Sequence, residues 1–265
     1  MPELPEVETI VNAIAPRLQS RRIVSAEFLS TRVSRHCTET DAQDLVQQAV
    51  RSVERRGKFI LIHLDRHVMV VHLGMTGKLL FDTERTPYTR AIFGFDGTTL
   101  LYEDIRQFGS IEWSVAVPER IGRLGPEPFD ITAKEFAAAM KGRKTPVKSL
   151  LLNQQVLRGL GNIYVDESLW RAQIHPQRPA EKVSASLTAR LLSEIQTVLR
   201  EAIEHRGSSV SDYVDADGRK GGFQTQHHVY GREGKPCHRC EAAIQRIVVG
   251  QRGTHFCPKC QRLRG

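Results

Sequence analysis

Two groups of residues in this chain have the types and spacing that chemistry needs. Cys237 and Cys240 lie in CHRC, Cys257 and Cys260 lie in CPKC, and sixteen residues separate the pairs. Each Cys-x-x-Cys pair suits a tight knuckle that points two thiolates at one metal, and a short hairpin brings two knuckles together; this is the spacing of a four-thiolate zinc ribbon. Four thiolates leave no open position for water, so one structural zinc is expected rather than a catalytic ion. Disulfides are the alternative, and they are rare in the cytosol. The second group is the opening MPELPEVETI, with Pro2, Pro5, Glu3, Glu6 and Glu8 in the first eight residues. Such a start is either helix punctuation or a reactive terminus. Punctuation accounts for Pro5 in a first turn and for Glu6 and Glu8 against the positive end of a helix dipole.

Charge points toward a partner. The formal net charge is +8, and residues 231–265 hold Arg232, Lys235, Arg239, Arg246, Arg252, Lys259, Arg262 and Arg264 against Glu233 and Glu241, so six of the eight net charges lie there. A basic patch this local suits a polyanion, most commonly nucleic acid. A second phosphate signal is VLRGLGNIY, where Gly159 and Gly161 permit a tight turn just before a helix at Asn162. An ordinary glycine-containing helix connection accounts for that stretch equally well. Cys37 stands alone and reads as a buried or idle thiol.

These groups need elements to position them. Val7, Ile10, Val11, Ile14 and Leu18 mark one helical face, which Pro16 is expected to end or kink. Residues 23–117 read mostly as strands (IVSAEFL, KFILIHL, HVMVVHL, KLLFD, AIFGFDGTTLLY and SIEWSVAV), with an Asp-Gly hairpin at Asp96-Gly97. Short strands at this spacing suggest a sandwich. LGPEPFD (124–130) marks a boundary, beyond which TAKEFAAAMKG, PVKSLLLNQQ, NIYVDESLWRA and SASLTARLLSEIQTVLREAIEHRG read as helices. The Gly- and Ser-rich stretch 207–224 reads as a mobile link to the ribbon. Apolar residues at 40% and charged residues at 26% fit a soluble globular chain, and no apolar run approaches the roughly 20 residues of a membrane helix. A cytosolic protein is expected.

In order along the chain, MPELPEVE, RRGKFIL, HLGMTG, DIRQFG, LGPEP, GLGNIYVDE, VYGREGKPC and the terminal ribbon resemble formamidopyrimidine-DNA glycosylases. The resemblance implies an α+β fold: an N-terminal antiparallel β-sandwich flanked by helices over residues 1–125, a helical helix-two-turn-helix domain over 126–230, and a zinc-ribbon finger over 231–265. It implies a monomer that acts in base excision repair, in the bacterial cytosol at the nucleoid, on double-stranded DNA with oxidised bases or abasic sites.

Roles follow from the same resemblance. Pro2, freed by removal of Met1, is the nucleophile that attacks the anomeric carbon. An α-amine with a pKa near 8 is about a tenth neutral at pH 7, whereas a lysine near 10.4 is neutral only about 0.04% of the time. Glu3 is the general acid/base, Glu6 a supporting carboxylate, Lys58 the proton donor in β-elimination, and Arg252 the phosphate grip assigned to δ-elimination. Met75, Arg106 and Phe108 fill the void left by an extruded base. Lys148 and Asn162 contact phosphates, with Arg143, Lys141 and Lys144 as basic support. The chain departs from the family pattern before the IFGF strand, where it reads Tyr88-Thr89-Arg90 in place of a frequent His-x-His.

The activity so implied is a glycosylase and abasic-site lyase that removes 8-oxoguanine and formamidopyrimidines and cuts by β,δ-elimination. One alternative is an endonuclease VIII-like enzyme for oxidised pyrimidines. Leu4, where that branch reads Gly, and the loop SDYVDADGRKGGFQ favour the purine reading. The other is a non-catalytic zinc-ribbon DNA-binding protein, which has no need of Pro2, Glu3 and Lys58 together.

Overall fold

A computed structural model describes residues 1–34 and 42–263, so Cys37 lies outside the described residues. The apolar spacing at the start becomes helix α1, Leu4–Leu18, which buries Leu4, Val7, Ile10, Val11, Ile14 and Leu18. Each such side chain contributes roughly 1.5–3 kcal/mol of apolar burial. Pro16 lies inside α1, in its last turn, and does not end the helix where it stands. The helix runs through it to Leu18, and Gln19 N–H closes on Ala15 O at 3.0 Å. Proline at this position forfeits one backbone N–H bond, to the carbonyl of Asn12, and the buried apolar face carries the helix past that loss.

The chain divides into two units, residues 1–122 with 203–224, and residues 123–202 with 225–265. Among its described residues the first contains eight strands: β1 Ile23–Phe28, β2 Val50–Arg56, β3 Phe59–Leu64, β4 Val68–His72, β5 Lys78–Phe81, β6 Thr89–Phe95, β7 Thr98–Glu103 and β8 Ser110–Ser114. They form two four-stranded sheets, ordered β1-β6-β7-β5 and β2-β3-β4-β8, with every pairing antiparallel. Ile60, Ile62, Met69 and Val71 of one sheet share a core with Phe93, Phe95, Leu100 and Tyr102 of the other, and α1 joins it. This is the expected sandwich. β6 and β7 pair from Phe95↔Thr98 across Asp96-Gly97, with Gly97 at φ +78. Strand β2, VRSVERR, was not legible in the sequence. It is an edge strand whose only fully buried residue is Val50, so its charged side chains break the alternation.

The stretch 207–224 is held rather than loose. Tyr213 and Ala216 enter the sandwich core, and Phe81 N–H donates to Ala216 O at 3.2 Å. Arg17 pairs with Asp217 at 2.8 Å, and Ser208 N–H donates to Glu6 Oε1 at 2.7 Å. The apolar anchors were hidden by the glycines and serines around them.

The second unit holds α2 Ala133–Met140, α3 Val147–Leu151, α4 Asn162–Ala172 and most of α5, Ala185–Glu204. Thr132 caps α2: Glu135 N–H donates to its Oγ1 at 3.3 Å, and Thr132 N–H donates to Glu135 Oε2 at 2.8 Å. Helix α3 ends before the expected Gln155. Asn153 Oδ1 accepts Gln155 N–H at 2.9 Å, while the Gln154 carboxamide accepts Gly159 N–H and donates to Leu160 O, both at 2.9 Å. The residues expected to prolong the helix thus brace the glycine turn, where Gly159 sits at φ +89. The ribbon hairpin is β9 Gln245–Val249 and β10 Arg252–Phe256, paired antiparallel.

Candidate active site and nucleic-acid interface

In the first unit the terminus is built into the fold. Glu3, buried, is the N-cap of α1, and its backbone N–H donates to Glu6 Oε2 at 2.7 Å. The other oxygen of Glu6 takes Ser208 N–H, so this buried carboxylate does more than oppose the helix dipole. It fixes the backbone beside Pro2 and the start of the 207–224 stretch at once. Pro2 is itself buried, and Met1 is 47% exposed.

Lys58 lies in the two-residue turn between β2 and β3, preceded by Gly57 at φ +62, and its side chain is mostly buried. Arg55 ties this turn to α1: its Nε reaches Glu8 Oε2 at 2.5 Å and its NH1 reaches Gly57 O at 3.2 Å. His72, at the end of β4, faces Phe59 with ring centroids 4.9 Å apart. Burial first, and then the positive charge of Lys58, hold its ring down to about 4, so it is neutral near pH 7. Gly74 N–H donates to Nδ1 at 3.3 Å, which leaves the ring proton on Nε2 as a donor. His72 lay within the HLGMTG motif, but nothing in the sequence distinguished it from a core histidine.

The three expected void-filling residues meet. Arg106 NH1 lies 3.3 Å from Met75 Sδ, and its Cζ stands 4.5 Å from the Phe108 ring centroid. Met75 is 40% and Phe108 52% exposed, and neighbouring Ile105, which the sequence did not single out, is 46% exposed. Met75 and Phe108, exposed beside the Arg106 guanidinium, form a candidate contact patch. Arg90 is committed elsewhere, since its guanidinium donates to Asp104 O at 3.0 Å and Pro87 O at 3.2 Å.

In the second unit the outcome for the phosphate residues is mixed. Arg143, Lys141 and Lys144 are exposed between α2 and α3, and Arg252 is exposed at the start of β10. Lys148, expected to contact a phosphate, is fully buried instead. Its Nζ donates to Asp166 Oδ1 at 2.6 Å and to Gly253 O at 3.1 Å. Asn162 Nδ2 donates to the same carbonyl at 2.9 Å, and Asp166 Oδ2 takes His255 N–H at 2.9 Å. These bonds pin β10 to α3 and α4 beside Arg252. Lys148 therefore braces the strand that carries Arg252. Removing one member of a buried pair strands the other, so Lys148→Met is expected to cost the second unit about 3–5 kcal/mol, read by urea unfolding. Glu167, next in α4, is buried under three backbone N–H donors, from His228, Val229 and Tyr230. Burial pushes its carboxyl up, but His228 and these N–H groups outweigh it, so the net shift is downward.

The four ribbon cysteines converge. Their Sγ atoms lie within 4.8 Å of one another, with separations of 3.4 Å for Cys240–Cys257 and Cys240–Cys260 and 3.9 Å for Cys237–Cys260. Tetrahedral zinc with Zn–S near 2.3 Å needs sulfurs about 3.8 Å apart, so the set fits one ion. Burial pushes Cys257 and Cys260 up, with the neighbouring cysteines adding to it, while the Arg239 N–H and the Trp170 indole overcome burial to bring Cys237 to about 7. Four thiolates at this range call for a divalent cation. Trp170 anchors the ribbon to α4, donating from Nε1 to Cys237 Sγ at 3.4 Å, with Arg239 stacked 3.9 Å from its ring.

Sandwich, helical unit and ribbon, with a surface wedge on the first and cations on the others, define a nucleic-acid-binding protein of the helix-two-turn-helix and zinc-ribbon class. Residues 1–111 match the formamidopyrimidine-DNA glycosylase N-terminal domain, residues 124–214 the corresponding H2TH domain, and residues 234–263 the zinc finger found in FPG and IleRS. A formamidopyrimidine-DNA glycosylase of Solibacter usitatus is 50% identical over 265 residues, covering 99% of this chain and 100% of the relative. A namesake from Streptococcus pneumoniae is 40% identical over 274 residues, covering 99% of each. The Lactococcus lactis protein in complex with abasic-site DNA superposes with a TM-score of 0.92 at 35% identity, over 98% of this chain and 100% of that one. The Thermus thermophilus MutM protein gives 0.90 at 40% identity over all of both chains. The chain belongs to the formamidopyrimidine-DNA glycosylase family. Among the described residues no helix is long and apolar enough to cross a membrane.

Proposed function

We propose that this protein is a DNA glycosylase and abasic-site lyase of base excision repair, acting on oxidised purines in duplex DNA in the bacterial cytosol at the nucleoid. Residues 1–125 carry the chemistry, 126–230 grip phosphates, and 231–265 complete the grip. Once Met1 is removed, the neutral Pro2 nitrogen attacks C1′ of the damaged nucleoside, and the glycosidic bond breaks with its electron pair leaving on the base. Glu3 exchanges the protons that open the sugar and release the base. Because proline is a secondary amine, the resulting iminium is permanently charged. That cation takes up the electron pair when a C2′ proton is removed and the 3′ phosphate departs. Lys58 serves this elimination, and Arg252 serves the 5′ phosphate in the next. Met75, Arg106 and Phe108 fill the hole, and the guanidinium is suited to hydrogen-bond the orphaned base. Asn162 and Arg143 contact phosphates, and Lys148 acts through Gly253. Zinc, when bound, supplies no chemistry to the reaction and closes the ribbon that presents Arg252.

The observation that supports this reading most is the pinned terminus. Glu6 holds Glu3 N–H, and Arg55 joins the Lys58 turn to the same helix, so Pro2, Glu3 and Lys58 belong to one braced element of the first unit. A binding protein gains nothing from bracing a chain end. Borohydride added to Met1-processed protein and an 8-oxoguanine duplex is expected to yield a covalent complex detectable by intact mass. Normal duplex binding without trapping would overturn the reading, and preferential trapping on thymine glycol would move it to oxidised pyrimidines.

A further inference from the structure

Beneath the wedge lies a buried polar network that the proposed reaction steps do not use. We infer that Thr76 and Asp104 are positioning residues that lock loops 72–77 and 104–109 into one rigid wedge, so that Met75, Arg106 and Phe108 enter the base stack as a unit. This inference rests on the repair reading above.

Asp104 is fully buried, and neutral donors surround its carboxylate. Oδ1 accepts the Thr76 hydroxyl at 2.5 Å, and Oδ2 accepts Gly109 N–H at 2.8 Å and the Tyr102 hydroxyl at 3.4 Å. Thr76 has one proton and gives it to Asp104; its lone pair then accepts Arg106 N–H at 3.1 Å. The hydroxyl is thus a relay between the loop that carries Met75 and the loop that carries Arg106 and Phe108. The Asp104 backbone is held as well, since its N–H donates to Tyr88 O at 3.0 Å and its carbonyl accepts Arg90 Nε at 3.0 Å. Burial first, and then the charge of Asp104, push the Tyr102 hydroxyl well above its ordinary value, so it remains a donor.

The loops also touch backbone to backbone. A Cβ on Gly74, which sits at φ +57, would lie 2.4 Å from Gly109 N and 2.5 Å from Phe108 C. A Cβ on Gly109 would lie 1.8 Å from the Tyr102 hydroxyl oxygen. Burying a carboxylate costs far more than an apolar filler would, unless its hydrogen bonds do something the filler cannot. What they do here is fix the relative position of two loops whose tips are exposed. Extruding a base costs a few kcal/mol of stacking and pairing, and a wedge that must first order its own side chains offsets less of that cost. Preorganisation should therefore matter where a base has to leave the stack and little where none is present.

Thr76→Val keeps the shape and removes the relay, leaving Arg106 N–H and Asp104 Oδ1 unpaired; Thr76→Ser keeps it. Losing these two buried hydrogen bonds is expected to slow single-turnover excision from an 8-oxoguanine duplex by about 10-fold or more in Thr76→Val. Borohydride trapping on a preformed abasic duplex should stay within about 2-fold of the parent, and Thr76→Ser within about 2-fold on both substrates. A 2-aminopurine next to the lesion should report unstacking slowed by the same factor as excision. Excision at the parent rate by Thr76→Val, or equal loss on both substrates by a variant with an unchanged thermal midpoint, would overturn the inference. Should Thr76→Val fail to fold, Asp104→Asn is read on the same two substrates against the same outcomes. A parent protein that excises nothing would strike the repair reading instead.

Discussion

Protein that retains Met1 is expected to bind a lesion duplex with affinity within about 2-fold of processed protein, and to show no excision and no borohydride-trapped complex. With Met1 attached, the Pro2 nitrogen is a tertiary amide whose lone pair is delocalised into the carbonyl, so it is not a nucleophile. Binding should survive because the groups assigned to it (Met75, Arg106 and Phe108 in the first unit, Asn162, Arg143 and Arg252 in the second) lie on other elements. Pro2→Gly separates nucleophile from electron sink. Its primary amine can still attack, but the imine it forms can lose its proton and with it the permanent charge, so strand cutting should fall by about 100-fold while binding stays near normal. For processed parent protein the single-turnover rate should rise with pH while the Pro2 amine is protonated and level off once it is neutral, because only the neutral amine attacks. Intact mass fixes the state of Met1, a mobility shift reads binding, and quenched-flow excision reads rate. Excision by a sample shown by mass to be fully Met1-blocked would remove Pro2 from the mechanism.

The sequence was legible wherever spacing alone dictates geometry. Cys237, Cys240, Cys257 and Cys260 converge because two knuckles and a hairpin leave them little else to do. The continuous apolar run of β3 becomes a strand between two neighbours, with Ile60, Leu61 and Ile62 all buried, and Asp96-Gly97 turns its hairpin. What stayed hidden depends on tertiary partners. Lysine at position 148 near a glycine turn suggests a phosphate, and only the fold reveals Asp166 one turn into α4 and Gly253 on a strand more than a hundred residues later. Tyr213 and Ala216 sit among glycines and aspartates that read as linker, and only the core shows why they are there. Thr76 and Asp104 lay inside quoted motifs, yet a threonine and an aspartate 28 positions apart announce nothing until the loops meet. Propensity and periodicity describe one element at a time, whereas a satisfied buried polar group is a property of several.

Zinc removal should have the second large effect, and it should fall on one unit. The hairpin β9–β10 has five residues per strand, and a two-stranded hairpin of that size is marginal in water unless something closes it. Zinc closes it at the cysteine end, where Trp170 stacks against Arg239 and donates to Cys237; Lys148 and Asn162 hold it at the Gly253 end. Without the metal, thiols gathered this closely cannot all ionise, and the knuckles lose the charge that joins them. Chelation, or Cys237→Ser, is therefore expected to weaken duplex binding by about 100-fold and to make the salt dependence shallower, because the phosphate contacts proposed for Arg252 and the surrounding ribbon cations would no longer form together. The sandwich belongs to the other unit and should keep its own unfolding transition, resolved by calorimetry as a second, unshifted step. The dissociation is the informative part: a loss of binding that accompanies melting of α1 and the sheets would mean global destabilisation, whereas unchanged affinity in zinc-free protein would take the ribbon out of DNA recognition. Restoring zinc to the chelated parent should restore both affinity and salt slope, and it should restore neither fully in Cys237→Ser, where three thiolates and a hydroxyl hold the ion more weakly than four thiolates do.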